Sequence, residues 1–208
     1  MFRIFVILVS IFSLAVANAQ TFNTEQTFKQ KLERVSQKNK TIHCDFTQTK
    51  KVKNIKQPII SKGEFFYDNS GLMALIFQEP KGDKVVMKGE SFYLVVSGKK
   101  MIGEASNNPM MSQISNMMQA CMSGNVSKLG RGWQMMVDDG AEGGFQVNLT
   151  PTDRRVRKYL SGMIMYFDGR DLTLDRLRIE ESSGGFTEYH FLNKKLNQAF
   201  DHAVFNVE

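Results

Sequence analysis

Two histidines of the sequence lie two positions from a carboxylate in segments that alternate like strands. His43 precedes Asp45, and Glu188 precedes His190. Residues i and i+2 share one face of a strand, so each pair offers a base and a carboxylate, a combination that hydrolases use. Each pair supplies two ligands, whereas zinc takes three or four from the protein. We interpret both pairs as polar strand faces, and an exported hydrolase using one of them is the alternative from another class.

The chain has no motif for a nucleotide, a cofactor or an activated nucleophile. G-x-S-x-G, H-E-x-x-H and phosphate-loop patterns do not occur in it. The glycine-rich residues 140–144 lie between strand candidates with no helix start behind them to hold a phosphate, and we predict a turn there. The sequence therefore predicts a protein that is not an enzyme and has neither a cofactor nor a metal.

The composition is that of one ordinary folded domain. The 208 residues are 42% hydrophobic and 23% charged, with a net charge of +6, and the mean hydropathy is −0.29. These values exclude an intrinsically disordered chain and a polytopic membrane protein.

The N-terminus has the pattern of a secretory signal peptide. Arg3 supplies the positive start, residues 4–16 form the apolar run, and Ala17-Asn18-Ala19 fits a small-x-small cleavage site. We predict a signal peptide over residues 1–19 and a single mature domain over residues 20–208, exported and released from the membrane that it crosses. No cysteine follows the apolar run, so the protein is not itself acylated.

Two cysteines remain in the mature chain, Cys44 and Cys121. An oxidising compartment would allow one disulfide between them. Two buried thiols that act as small hydrophobic residues are an equal alternative.

Hydrophobic periodicity predicts a large antiparallel sheet with a few helices. Residues 24–37 carry Phe28, Leu32 and Val35 at helical spacing, and a helix should begin at Pro109. Short links between strand candidates favour antiparallel neighbours over βαβ units. The predicted strands begin with the alternating segment at residue 41 and continue at residues 63–67, 72–78, 83–88, 91–97, 132–137, 144–150, 161–167, 171–181, 185–191 and 203–207.

The segments with the most apolar character predict a cavity. Residues 72–77 and 92–96 are apolar on both strand faces, which is more apolar surface than two helices can cover. The helix after Pro109 is rich in methionine, a flexible side chain that suits ligands of no single shape. We therefore predict a sheet curled around a hydrophobic cavity and closed by this helix. The residues predicted to line the cavity or its lid are Phe46, Phe65, Leu75, Phe77, Phe92, Leu94, Met110, Met111, Ile114, Met117, Met118 and Met122.

Positive charge is clustered in two runs, residues 50–56 and residues 154–158. The runs lack the interleaved aromatic residues of a base-stacking surface, and we predict no nucleic-acid partner. They are solvated faces or, alternatively, they orient the protein against an anionic membrane or an acidic partner.

The order of several short motifs resembles the LolA family of periplasmic lipoprotein carriers. The resemblance spans the mature chain and rests on Phe46-x-Gln48, Gly63-x-Phe65, Pro80, Phe92-Tyr93, the mid-chain helix, Leu149-x-Pro151, Gly184-x-Phe186-Thr187 and a terminal Phe205-x-Val207 strand.

The resemblance implies an α+β fold in which an incomplete antiparallel β-barrel is capped by helices around a hydrophobic cavity. It implies a monomer that carries acylated lipoproteins or lipid in this cavity. It also implies two partners, an inner-membrane ATP-binding-cassette complex that releases lipoproteins and an outer-membrane acceptor.

The sequence departs from the family at the lid. Well-studied members latch the lid with an arginine in the strand that corresponds to residues 72–77, whereas this chain has no arginine between Arg34 and Arg131. The latch should therefore be absent or built differently.

Two other hypotheses accompany lipoprotein carriage. Within the same fold, the protein carries another lipid or senses mislocalised lipoproteins. A structural interaction protein with a filled barrel would have no cavity at all.

Overall fold

The computed structural model describes residues 24–89, 91–104, 109–123 and 132–207, and the predicted signal peptide lies outside them. The described residues form three α-helices and eleven strands. The helices are α1 (residues 24–36), α2 (Pro109–Ser123) and α3 (Arg154–Arg157). The strands are β1 (Thr41–Lys51), β2 (Ile59–Asp68), β3 (Leu72–Glu79), β4 (Lys81–Lys88), β5 (Ser91–Val96), β6 (Lys99–Glu104), β7 (Trp133–Asp139), β8 (Phe145–Pro151), β9 (Leu160–Phe167), β10 (Leu174–Glu181) and β11 (Phe186–Leu196).

All eleven strands belong to one antiparallel sheet, in the order β6-β5-β4-β3-β2-β1-β11-β10-β9-β8-β7. Chain neighbours pair through short turns, and the long-range pairing of β1 with β11 joins the two meanders. Strands β6 and β7 are the two edges of the described sheet, so the barrel is incomplete. The predicted fold class is confirmed.

Helices α1 and α2 supply one layer of the main core. The apolar stripe of α1 buries Phe28 and Leu32 completely or nearly so, and α2 buries Met117, Ala120 and Cys121. These side chains pack with residues from β1 to β4 and from β7 to β11 in one continuous cluster. The helical periodicity therefore identified the faces that the helices bury.

A second, smaller core lies on the opposite face of the sheet. Phe66, Ala74 and Val86 alternate with residues of the main core and pack against Phe205. Strands β2 to β4 are apolar on both faces because the C-terminal segment covers the outer face. The predicted cavity accounts only for the apolar residues on the inner face.

The predicted strand at residues 203–207 is wrong. His202–Phe205 forms a 3-10 turn, and the Asp201 carboxylate caps it by accepting a hydrogen bond from the Ala203 N–H at 2.9 Å. The alternating apolar residues of this segment contact the outer face of an existing sheet and join no strand, because burial of Phe205 requires only a face to pack against. Strand β6 was missed because its apolar residues, Met101 and Ile102, are adjacent and exposed, so they do not alternate.

Candidate functional site

An apolar cavity of about 190 Å³ lies on the inner face of the sheet, against α2. Its walls come from β2, β3 and β4 on one side and from β10 and β11 on the other, and Met118 of α2 also lines it. Tyr189 is the one lining residue with a polar side-chain atom. The lining residues are Phe65, Met73, Ala74, Leu75, Val85, Met87, Met118, Leu177, Ile179, Tyr189 and Phe191.

Three of the twelve residues predicted for the cavity line it directly: Phe65, Leu75 and Met118. Two more, Phe46 and Phe77, lie beside it in the main core. Their ring centroids are 5.1 Å apart at an interplanar angle of 82°, and the Phe46 ring is 5.9 Å from that of the lining residue Tyr189. These aromatic residues therefore lie next to the cavity, and Phe46 contacts its lining residue Tyr189.

Four of the remaining predicted residues lie outside the cavity lining. Met117 and Met122 are buried in the packed core, Phe92 packs against that core, and Leu94 is half-buried on β5. The other three predicted residues belong to α2, but their side chains lie outside the described residues; they are Met110, Met111 and Ile114.

Sequence reasoning missed the wall formed by β10 and β11. Leu177 and Ile179 alternate on β10, as Tyr189 and Phe191 do on β11. This period-two signal was present, but strands with charged residues between the apolar ones are typical of any half-buried sheet. Their role depends on the pairing of β1 with β11, which brings them opposite β3 and β4.

Gly63 makes room for the Phe46–Phe77 contact beside the cavity. It pairs with Phe46 on β1 and with Phe77 on β3. A Cβ at this position would lie 2.1 Å from the Ile76 carbonyl oxygen and 2.8 Å from the Phe46 ring. The two rings therefore meet over a residue that has no side chain.

The polar atom in the cavity wall already has a partner. Gln48 Nε2 donates a hydrogen bond to the Tyr189 hydroxyl oxygen at 2.6 Å. Burial raises the pKa of Tyr189, so the phenol is neutral and its hydrogen-bonding capacity is partly used. The hydrogen bond gives the buried phenol oxygen a protein partner, and the other lining side chains are apolar.

A glutamine of α2 forms a hydrogen bond with the turn after β4. Gln119 Nε2 lies 2.8 Å from the carbonyl oxygen of Gly89, in the turn after β4, and 3.3 Å from Ser115 Oγ. Residues 72–77 of β3 contain no arginine, as the sequence analysis noted. The Gln119 contact is thus a neutral hydrogen bond between α2 and the turn after β4, and it is weaker than a charged one.

Cys44 and Cys121 are free thiols, and both are buried. Burial raises the pKa of each to about 12. Cys121 Sγ lies 3.5 Å from Met165 Sδ. The structure thus has the second of the two arrangements that the sequence left open, in which the cysteines act as core residues.

The histidine–carboxylate pairs lie away from the cavity. His43 Nε2 is 3.0 Å from Glu64 Oε1, and its ring stacks on Phe66 of the outer core. His190 Nε2 is 3.0 Å from Glu188 Oε1. His190 and Glu188 flank Tyr189, so strand alternation directs them to the outer face.

Across the described residues, no three His, Cys, Asp or Glu side chains are grouped so as to hold a metal ion. None of the helices described is long and apolar enough to cross a bilayer.

A family model described as "Outer membrane lipoprotein carrier protein LolA" matches residues 37–208. No curated protein sequence matches the chain significantly.

Solved structures that are similar to this chain have little sequence identity to it. A DUF1329 family protein from Desulfovibrio piger is 10% identical with a TM-score of 0.52, over 87% of this chain and 96% of that one. A chain of the MucA/MucB complex of Pseudomonas aeruginosa is 10% identical with a TM-score of 0.52, over 88% of this chain and 60% of that one. A LolA superfamily protein from Nitrosomonas europaea is 9% identical with a TM-score of 0.46, over 88% and 98%.

Proposed function

The chain belongs to the LolA family of outer membrane lipoprotein carrier proteins, and on this premise we propose that it carries the acyl chains of lipoproteins in its cavity through the periplasm, from the inner to the outer membrane. The proposal includes export through the signal peptide at residues 1–19. It also includes the two partners expected of such a carrier, an inner-membrane ATP-binding-cassette complex and an outer-membrane acceptor.

The observation that carries the proposal is the apolar cavity between the sheet and α2. Each methylene withdrawn from water is worth roughly 0.8 kcal/mol, so one long acyl chain needs shielding on the order of 10 kcal/mol. A lining of aliphatic, methionine and aromatic side chains supplies such shielding without offering a charge to a headgroup. The partnered Tyr189 hydroxyl adds no polar atom that would be buried without a hydrogen bond.

The cavity must enlarge to hold cargo. At about 190 Å³ it is smaller than the roughly 300–1,000 Å³ typical of pockets for drug-sized ligands. Met118 in the lid can change rotamer at little cost, because methionine is unbranched. The Gln119 to Gly89 hydrogen bond is one contact that α2 would break to move away from the turn after β4.

Native mass spectrometry of the exported protein, co-expressed with a lipoprotein, tests the proposal. We expect a complex with acylated cargo in the wild type. The Leu75→Phe variant should lose it, because a larger side chain occupies the cavity. The matched control is Ile76→Phe, on the opposite face of the same strand, where the side chain meets the outer core. Wild-type protein that never retains acylated cargo, or equal retention in both variants, would contradict carriage.

Depletion in cells separates carriage from the sensing alternative. Loss of a carrier leaves lipoproteins in the inner membrane, whereas loss of a sensor changes a stress response and leaves their distribution intact. Alanine substitution of Glu188 and His190, or of His43 and Asp45, tests the hydrolase alternative, and full function of both double variants would eliminate it.

A further inference from the structure

The two basic runs of the sequence lie side by side at one end of the sheet. Lys51 ends β1 and pairs with Phe186, the first residue of β11. A Cβ at Gly184, in the turn before β11, would lie 3.8 Å from Lys53 Cδ. In the same turn, Ser182 donates its N–H to the Tyr159 carbonyl oxygen at 2.9 Å. The β10–β11 turn therefore joins the β1–β2 hairpin to the segment that contains α3.

This juxtaposition gathers cations that the sequence separates by a hundred residues. We name it the basic end, and it consists of the exposed residues Lys51, Lys53, Lys56, Arg154, Arg157 and Lys158. Among the described residues, no carboxylate oxygen lies within 4.0 Å of any of these six cationic groups. The nearby acidic residues have other partners: Asp153 pairs with Arg155 at 2.8 Å, and Glu181 accepts a hydrogen bond from Ser183 at 3.0 Å.

Large apolar side chains are exposed among these cations. Every residue from 53 to 60 is exposed, and Ile55, Ile59 and Ile60 keep 49%, 51% and 50% of their surface accessible. Tyr159 is 61% exposed beside Lys158. Residues 53–60 include no buried side chain, so burial in a core does not account for these isoleucines.

Cations together with exposed aliphatic and tyrosine side chains match the interface of an anionic bilayer. Lysine holds its charge at the headgroups while its stem and neighbouring isoleucines enter the acyl boundary. Tyrosine is enriched at the same depth. The cations by themselves would fit an acidic protein partner as well as an anionic membrane. The exposed isoleucines among them favour the membrane. We infer that the basic end docks the protein on the surface of a membrane that contains anionic lipid.

The position of the basic end gives the docking a consequence for cargo. Ile179 and Tyr189 of the cavity wall lie two and three residues from the strand ends at Glu181 and Phe186. The cavity thus adjoins the docked end, which shortens the path of an acyl chain through water. This consequence rests on the proposed function, whereas the docking itself does not need cargo.

Vesicle sedimentation with the exported, cargo-free protein tests the docking. Its N-terminus is checked by mass so that no signal peptide remains. We expect binding to vesicles of phosphatidylethanolamine and phosphatidylglycerol, little binding to phosphatidylcholine alone, and weakening with added salt.

Charge-reversal variants locate the surface. The triple variant Lys51→Glu, Lys53→Glu, Lys56→Glu should bind anionic vesicles at least tenfold more weakly, since each basic residue near such a surface contributes roughly fivefold. The matched control is Lys38→Glu, Lys40→Glu, Lys195→Glu, which makes the same charge change at the opposite end and should stay within about twofold of wild type. The variant Ile55→Ser, Ile59→Ser should weaken binding severalfold without changing charge. Circular dichroism confirms that each variant folds.

Several outcomes would overturn the inference. They are equal losses in the hairpin and control variants, unchanged binding after the isoleucine substitutions, equal binding to both vesicle types, and binding to an acidic protein in place of vesicles. Native mass spectrometry measures cargo independently, so failure of docking and failure of carriage remain distinguishable.

Discussion

The inner core has a filled half and a hollow half. In the filled half, Phe28 of α1 lies with its ring centroid 5.3 Å from that of Phe145 and 5.0 Å from that of Phe167. In the hollow half, Met118 of α2 faces the cavity opposite β3, β4, β10 and β11. One half has a rigid aromatic residue from its helix, and the other has a flexible thioether. The difference shows that one sheet and one continuous apolar cluster can contain both tightly packed aromatic residues and an unfilled space beside Met118.

The largest expected effect is the loss of the aromatic centre of the filled half. Phe28 is completely buried, and Phe28→Ala should lower the free energy of unfolding by about 3–5 kcal/mol. Urea unfolding measures it. The matched substitution in the hollow half, Met118→Ala, should cost less, because its surroundings already contain unfilled space. A larger cost for Met118→Ala would reverse the comparison.

The Phe46–Phe77 contact beside the cavity is sensitive to the smallest added group. Gly63→Ala places a methyl group against the Ile76 carbonyl oxygen and the Phe46 ring, and the strands must separate to admit it. We expect a loss of about 2–3 kcal/mol in the free energy of unfolding, measured in urea. A loss below about 0.5 kcal/mol would show that the Phe46–Phe77 contact does not depend on this glycine.

Adding the same side chain to each half tests directly whether one half is packed and the other is hollow. Val147 is 1% exposed in the filled half, and Val147→Phe should cost about 1–3 kcal/mol by overpacking. Val85 lines the cavity, so Val85→Phe should change the free energy of unfolding by less than about 1 kcal/mol.

Binding of a fluorescent fatty acid supplies the second measurement on these two variants. Val85→Phe should abolish fatty-acid binding. Val147→Phe should leave binding intact in the fraction of the protein that is folded. Equal stability losses in the two variants would show that the hollow half is packed in solution.

The smallest effect concerns the turn that closes the filled half, between β9 and β10. Asp168 accepts hydrogen bonds from the Arg170 side chain at 2.9 Å and from the Arg170 backbone N–H at 2.6 Å. The Arg170 side chain, through its hydrogen bond, lowers the pKa of Asp168 from 3.8 to about 2. A carboxyl group with a lowered pKa in the folded state stabilises the fold above its unfolded pKa. That stability should disappear as the pH falls from about 4 to about 2.

Asp168→Asn measures this contribution. Because the Arg170 side chain is 85% exposed, solvent screening limits the expected cost to about 1 kcal/mol at pH 7. The difference between variant and wild type in urea unfolding should vanish near pH 2. A difference that persists at that pH would assign the effect to backbone capping alone.

Sequence periodicity predicted much of the fold because it depends on local chemistry. Phe28, Leu32 and Val35 at helical spacing identified α1, and the alternation of Ile42, Cys44 and Phe46 identified β1. Phe65, Leu75 and Met118 were found for the cavity because they belong to segments with unusual apolar content. The same reasoning placed Phe92 and Leu94 in the cavity lining, since apolar alternation does not distinguish a residue on a cavity from one in packed core.

By itself, the sequence determined the strand and helix periods, the antiparallel connections and the methionine content of α2, because backbone geometry imposes those patterns over a few residues. Only the tertiary structure decided that β11 returns to β1, that Phe205 covers the outer face, and that Leu177 and Tyr189 complete the cavity wall. It also brought two separate basic runs to one end. These features depend on which faces meet across long loops, and the free energy of such contacts comes from buried area that no local pattern specifies.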